Sequence, residues 1–252
     1  MKLALECPIA MMKWIQPYAD FDFVLTHLVA DFDYRNYYIK SNRFMILDNS
    51  TNELGHPCSI DEILSSAELL HPDFICPPDF LGSADKTAEA LDEMSDRVPE
   101  GINLLPILQS DGDDYRSVLD FTKFLKNRNF DCIAIPYDIM RNRDYSVKDL
   151  AVARYEIVSY LVRDFDWIHL LGLTDPDELL HYKDFDNVRS IDTGSPITNG
   201  LAGRRYGISE PTNKKHMLNF DELSCTEEQR SCILHNLAYL RQLLTKEDEW
   251  LS

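Results

Sequence analysis

Five hydrophobic runs in this chain end in, or just before, a polar group able to do chemistry. They read Phe44-Met-Ile-Leu-Asp48, Phe74-Ile-Cys-Pro-Pro-Asp79, Leu104-Leu-Pro-Ile-Leu-Gln109, Cys132-Ile-Ala-Ile-Pro-Tyr137 and Val188-Arg-Ser-Ile-Asp192. A strand buried on both faces has this uninterrupted apolar character, and its carboxyl end is where α/β folds gather their functional groups. Three of the five terminal residues are aspartates. Further runs at about 2–6, 23–28 and 167–173 bring the strand-like segments to eight.

Helix-like stretches follow most of these runs. Ser59-Ile-Asp-Glu reads as a capping box, with Ile60, Ile63 and Leu64 on one face. Ala88, Leu91 and Met94 recur at helical spacing behind Ser83, and Val118, Phe121 and Leu125 do so behind Tyr115. Residues 147–162 predict a longer helix, and the segment 29–41 a short, tyrosine-rich one. Asp175-Pro-Asp-Glu reads as an N-cap followed by proline in the first turn. Thr226-Glu-Glu-Gln opens the last helix, striped by Ile233, Leu237, Leu240 and Leu244. Strand and helix alternate at roughly 30-residue spacing, the signature of right-handed βαβ units around a parallel sheet. Eight repeats predict a closed (β/α)8 TIM barrel, irregular in its first two units. One domain over 1–252 is expected, the barrel at about 1–207 and a C-terminal loop and helix at about 208–252. No G-x-G-x-x-G or P-loop follows a strand, so neither a dinucleotide nor a P-loop nucleotide site is indicated.

Composition narrows the function classes. No apolar run reaches the roughly 20 residues a membrane span needs, and Glu6 and Pro8 interrupt the N-terminal apolar stretch, so a signal peptide is not expected. Six cysteines without a small-secreted-protein spacing fit a reducing cytoplasm. The net charge of −18 argues against broad charge-driven binding to nucleic acid. One local basic patch remains, Arg204-Arg205 with Lys214-Lys215-His216.

In a barrel, Asp48, Asp79, Gln109, Tyr137 and Asp192 share one mouth. Carboxyl groups crowded together push their pKa values apart, which yields one acid and one base. The plainer reading is that each strand-end aspartate caps the helix after it.

Taken in order, the fragments resemble the tRNA-guanine transglycosylase family. Leu47-Asp48-Asn49-Ser50 resembles its D-S-G-G element, Pro77-Pro78-Asp79 stands where it has a base-recognising aspartate, and Ile107-Leu108-Gln109 is similar to V-Q-G. Ile133-Ala-Ile-Pro136 is similar to the A-I-G-G strand, and the segment from His169 to Leu180 to H-L-M-G-x-G-x-P-x-D-L-L. Ser190-Ile-Asp192-Thr-Gly-Ser-Pro196 resembles F-D-C-x-x-P, Ala202-Gly-Arg204-Arg-Tyr-Gly207 the A-R-x-G after it, and His235-Asn-Leu237 the C-terminal H-N-L. The family's members are (β/α)8 barrels that exchange a guanine for a 7-deazaguanine without cutting the backbone.

The resemblance implies Asp192 as nucleophile and Asp48 as general acid/base. It places Asp79, Gln109, Tyr137, Asn49, Ser50 and His169 around the base. Arg204, Arg205, Lys214 and Lys215 would hold flanking phosphates. The chain departs from the family in three ways. Asn49-Ser50-Thr51 and Pro136-Tyr137 replace glycine pairs, Asn199 stands where the family has the arginine of P-T-R, and only Cys225 and Cys232 precede His235. A tetrahedral Cys3His zinc site needs three thiolates, so no zinc or other cofactor is expected, and His235 is expected to pack or hydrogen-bond. The missing basic zinc subdomain implies the compact branch associated with bacteriophage, with DNA favoured over tRNA as substrate. The acidic charge raises the prospect of a basic protein partner. Two alternatives keep the fold: a glycosylase that excises a modified base with water as acceptor, and a non-catalytic subunit that partners an active homologue. A barrel enzyme for a small metabolite is a further one.

Overall fold

The computed structural model describes residues 1–112, 114–140, 146–173, 175–209 and 217–245. The chain is α/β with parallel sheets. Eight strands occur in the expected places: β1 Lys2–Leu5, β2 Asp22–Leu25, β3 Met45–Asp48, β4 Phe74–Ile75, β5 Asn103–Leu104, β6 Cys132–Pro136, β7 Trp167–Leu171 and β8 Val188–Thr193. Nine α-helices are described: α1 Met12–Ile15, α2 Phe32–Ile39, α3 Thr51–Leu54, α4 Ile60–Leu70, α5 Ala84–Ser95, α6 Tyr115–Asn127, α7 Val147–Leu161, α8 Ser195–Leu201 and α9 Glu227–Leu244. The capping boxes at Ser59 and Thr226 form as the sequence predicts. The segment behind Asp175 folds as a 3-10 helix, Pro176–Tyr182.

β4 and β5 are only two residues long, shorter than their apolar runs. Proline brings no N–H to a ladder, and Pro77, Pro78 and Pro106 stand just beyond these strands.

The strands form two parallel four-stranded sheets, ordered β1-β8-β7-β6 and β2-β3-β4-β5. They meet at two seams. Beyond β5, Ala134 donates its N–H to Pro106 O (2.8 Å) and its carbonyl accepts from Leu108 N–H (2.9 Å). Between β1 and β2 one backbone bond, Asp20 N–H to Leu3 O (2.7 Å), stands beside a side-chain one, Leu3 N–H to Asp20 Oδ2 (2.8 Å). Among the described residues these seams are not full ladders, so the closed ring of eight strands predicted from the sequence is not formed as one continuous sheet.

Alternation along the strands sorts their side chains into two sets. Met45 and Leu47 of β3, Ile133 and Ile135 of β6, Ile168 and Leu170 of β7 and Ile191 of β8 belong to the large core that includes the helices' apolar faces. Ala4, Phe23, Leu25, Ile46 and Ala134 form a second core drawn from both sheets, with Trp167 and Leu171 packed against it. An aromatic contact between Phe74 and Trp167 (ring centroids 4.8 Å apart) joins the two sheets below it. The same parity that places Ile46 inside also places Asp48 there, and Ser190 and Asp192 follow by the same rule.

Candidate active site

The carboxyl ends of strands from both sheets open into one cleft enclosing about 1080 Å³ of empty space, its open mouth included. Asp48, Asn49, Asp79, Gln109, Tyr137 and Asp192 all line it. The residues picked at strand ends therefore do converge, from β3, β4, β5, β6 and β8.

Asp192 is buried, and its Oδ1 accepts from His169 Nε2 (3.0 Å) and from Gly172 N–H (3.1 Å). Burial pushes its carboxyl up, but hydrogen bonding by His169, with that of Glu6 and the Gly172 amide, outweighs this and holds it below the usual carboxylate range. Behind it runs a chain of buried groups. Ser190 Oγ lies 2.8 Å from both Trp167 Nε1 and His169 Nδ1. The indole can only donate, so the serine hydroxyl is free to donate to Nδ1, which leaves Nε2–H for Asp192. His169 is fully buried, stacked on Phe23 at 5.6 Å. It lies beneath the cleft and orients Asp192. This corrects its expected place against a bound base: the mouth position on this strand goes to Gly172, whose φ is +72° and where an added Cβ would lie 3.1 Å from Tyr137 Cδ1.

Asp48 has the opposite environment. Burial first, then the charges of Glu53, Asp79 and Asp192, hold its carboxyl well above the usual range; the Ser50 N–H on its Oδ2 (2.7 Å) pulls the other way. That amide reaches back because Ser50 sits at φ 65°, in the left-handed region that favours glycine, a strain on the order of 1–3 kcal/mol. Ser50 is fully buried and lies behind the cleft wall, supporting Asp48 instead of facing a ligand.

Asp79 completes a polar shelf. Its Oδ1 accepts from Asn49 Nδ2 (2.9 Å) and its Oδ2 from Gln109 Nε2.

Three acidic residues of the cleft were not picked from the sequence: Glu6, Glu53 and Asp138. With Asp48, Asp79 and Asp192 they make six carboxyl side chains, and no Lys, Arg or His is among the described residues of the lining. Glu6 was legible by parity, because it stands two residues after the inward-facing Ala4.

The basic candidates stay outside the cleft. Arg204 and Arg205 do not line it, and Arg205 donates to Ser231 Oγ of α9 (3.0 Å). Lys214 and Lys215 lie outside the described residues. His235 Nε2 is 2.9 Å from the Tyr206 carbonyl, a helix-packing role. Among the described residues no group of three or more His, Cys, Asp or Glu is placed to hold a metal ion, and no helix is long and apolar enough to cross a membrane.

Outside the cleft, Arg154 and Glu178 form a fully buried bidentate pair, both bonds 2.7 Å. Arg154 also donates to the Gly172 carbonyl (2.8 Å), and Tyr182 OH to Glu178 (2.7 Å). The pair anchors the turn whose amide meets Asp192.

A scan against protein-family models finds no matching family, and a search of curated proteins finds no match.

Proposed function

We propose that the chain is a base-exchange transglycosylase of the tRNA-guanine transglycosylase kind, its two sheets being the halves of a (β/α)8 barrel. The observation that carries this reading is that two buried carboxyls line one cleft in opposite surroundings: Asp192 accepts from His169 and Gly172, which hold it below the usual carboxylate range, while burial and the neighbouring carboxyls hold Asp48 above it. Glycosidic chemistry through an oxocarbenium-like transition state needs such a pair, one nucleophile and one acid.

An Asp192 oxygen attacks C1′ of the nucleoside. The C1′–N bond breaks, its electron pair passes to the base nitrogen, and that nitrogen takes the Asp48 proton. The sugar is left as an ester of Asp192. An incoming base returns its N–H proton to Asp48 as its nitrogen attacks C1′, and the ester's electron pair goes back to Asp192. Asp79, flanked by Asn49 and Gln109, suits the N1–H and N2–H donors of a guanine edge. Tyr137 offers a ring beside that edge. Ser50 in a glycine-type conformation, at the place where the resembled element has glycine, is in keeping with the reading.

Guanine in DNA, with tRNA as the rival substrate, exchanges for a 7-deazaguanine. The target nucleotide leaves the helix to enter the cleft. Among the described residues the cleft's lining carries no cation; in this reading the phosphates stay outside it, held by the Arg204–Arg205 and Lys214–Lys215 segment or by a basic partner protein. Hydrolytic excision is the second reading, favoured by Glu6 and Glu53, which add carboxyl groups able to activate water.

The test incubates the protein with a guanine-containing DNA oligonucleotide or tRNA and a radiolabelled 7-deazaguanine base, beside Asp192→Ala. Label incorporated by the wild type and lost in the variant is expected. Abasic sites without label would replace exchange by excision, and unchanged nucleic acids would refute both.

A further inference from the structure

Arg154 lies in the middle of α7, fully buried, and its guanidinium reaches the carboxyl ends of two strands. Its Nη1 donates to the Gly172 carbonyl (2.8 Å) and to the Leu171 carbonyl (3.2 Å), with Ile135 O of β6 at 3.5 Å. The Leu171 carbonyl also accepts from Tyr137 N–H (2.9 Å). That carbonyl belongs to the same peptide group as the Gly172 N–H, which donates to Asp192 Oδ1 (3.1 Å). One planar unit therefore joins a buried cation at its oxygen to Asp192 at its N–H. Gly172, at φ +72° and without a Cβ, offers little resistance of its own to rotation of that plane. The bonds on the two carbonyls supply it. Glu178, itself held by Tyr182, orients the guanidinium from the other side.

We propose that Arg154 is a positioning residue of Asp192, acting through the Leu171–Gly172 peptide. Only the catalytic consequence rests on the transglycosylase reading. With Arg154 on its oxygen, the peptide points its N–H at Asp192 and is polarised in that direction, because hydrogen bonds in series strengthen one another in a low-dielectric interior. The donor is in place before substrate arrives, so the carboxylate needs no rearrangement to be supported. It serves both halves of the exchange. It holds the anion before attack and meets the charge that returns to Asp192 when the sugar ester breaks. A buried pair that served stability alone would leave this peptide and Asp192 unaltered once apolar groups replaced it. The titratable groups around the path are Glu178 and Tyr182 at Arg154, His169 at Asp192, Cys76 in the inner core, and Glu6, Asp48 and Asp79 across the cleft.

Two measurements on the full chain test this. The first is NMR with 15N in glycine and arginine and 13C in the aspartate carboxyls. In the wild type, the Gly172 amide and the Arg154 Nη signals are expected to follow the Asp192 midpoint together; Arg154 signals indifferent to it overturn the proposal with no variant needed. A variant combining Arg154→Met, Glu178→Met and Tyr182→Phe strands no charge. In it the Gly172 amide signal is expected to move and the Asp192 midpoint to rise by about half a pH unit, roughly a threefold gain in proton affinity. A folded variant with both unmoved overturns the proposal. The second measurement follows the adduct with a guanine-containing oligonucleotide on denaturing gels. The triple variant is expected to form it roughly tenfold more slowly with oligonucleotide binding unchanged, and Arg154→Lys, which keeps the cation, to recover part of the rate. Slower adduct formation explained by weaker binding, with the Gly172 and Asp192 signals unmoved, assigns the pair to stability alone and refutes positioning. Moved signals with neither adduct nor exchange in the wild type leave the positioning role standing and remove the transglycosylase reading.

Discussion

Glu178→Gln tests how the site is held. The Glu178 carboxylate faces Arg154 through two bonds of 2.7 Å and accepts a third from Tyr182 OH, at essentially no solvent exposure. Glutamine keeps the shape but removes the charge and turns one N–H toward the guanidinium. Arg154 is then a buried cation facing no carboxylate, left with the glutamine oxygen and the carbonyls of Ile135, Leu171 and Gly172. Removing one partner of such a pair costs about 3–5 kcal/mol, a large part of a typical stability of about 5–15 kcal/mol. With a urea slope of about 2–3 kcal/mol/M, the midpoint should fall by about 1–2.5 M. Circular dichroism during urea unfolding at neutral pH measures this. Arg154→Met with Glu178→Met should be less damaging than the summed single changes by about 2–3 kcal/mol, because no charge is stranded. A loss below about 1 kcal/mol in Glu178→Gln would refute the reasoning, since only a solvated pair is so dispensable.

Asp48, whose carboxyl is held above the usual range by burial and by Glu53, keeps its proton to a higher pH in the folded than in the unfolded chain. Its contribution to stability is therefore complete below the ordinary carboxylate range and is lost as pH rises. Melting temperatures across pH should show the wild type declining relative to Asp48→Asn, and parallel curves would contradict the assignment. Ser190→Ala strips partners from both Trp167 Nε1 and His169 Nδ1. A loss of about 1–3 kcal/mol is expected, with displaced 15N shifts of the His169 ring; unaltered shifts would mean the hydroxyl does not fix the tautomer. Gly200→Ala places a Cβ 2.3 Å from Ile233 Cγ1 and 2.7 Å from Ile233 N, so α8 and α9 must part. The cost should be about 2–3 kcal/mol, a fall of about 5–10 °C in melting temperature, and an unchanged melt would show that the helices yield freely.

The strands were readable because a parallel sheet buried on both faces demands continuous apolar runs. β4 and β5 fell furthest short of their runs, where proline withholds an N–H. Asp48 and Asp192 were readable as polar ends of those runs. Glu6 was passed over because, in a sequence, a glutamate after an apolar stretch looks like an interruption; its place in the cleft depends on β8, nearly 190 residues away, lying beside β1. Arg154 and Glu178 carry no periodic signal, since a lone charged residue on a helix reads as solvated until its partner is placed. His169 was expected beside a bound base, whereas it lies beneath the cleft against Asp192. Strand parity alone gives the side of the sheet and not the depth along it.

β2, β3, β4 and β5 are consecutive, so that sheet can assemble on a growing chain once about a hundred residues have emerged. β1 must wait for β8, made nearly two hundred residues later. Asp48 and Asp79 belong to the early half, and Glu6 and Asp192 to the late one. Asp192 joins the acids of the first sheet only at the closing step of synthesis, when most of the apolar surface is already buried. A nascent chain halted before β8 would already hold Asp48, Glu53 and Asp79 together and would lack Asp192.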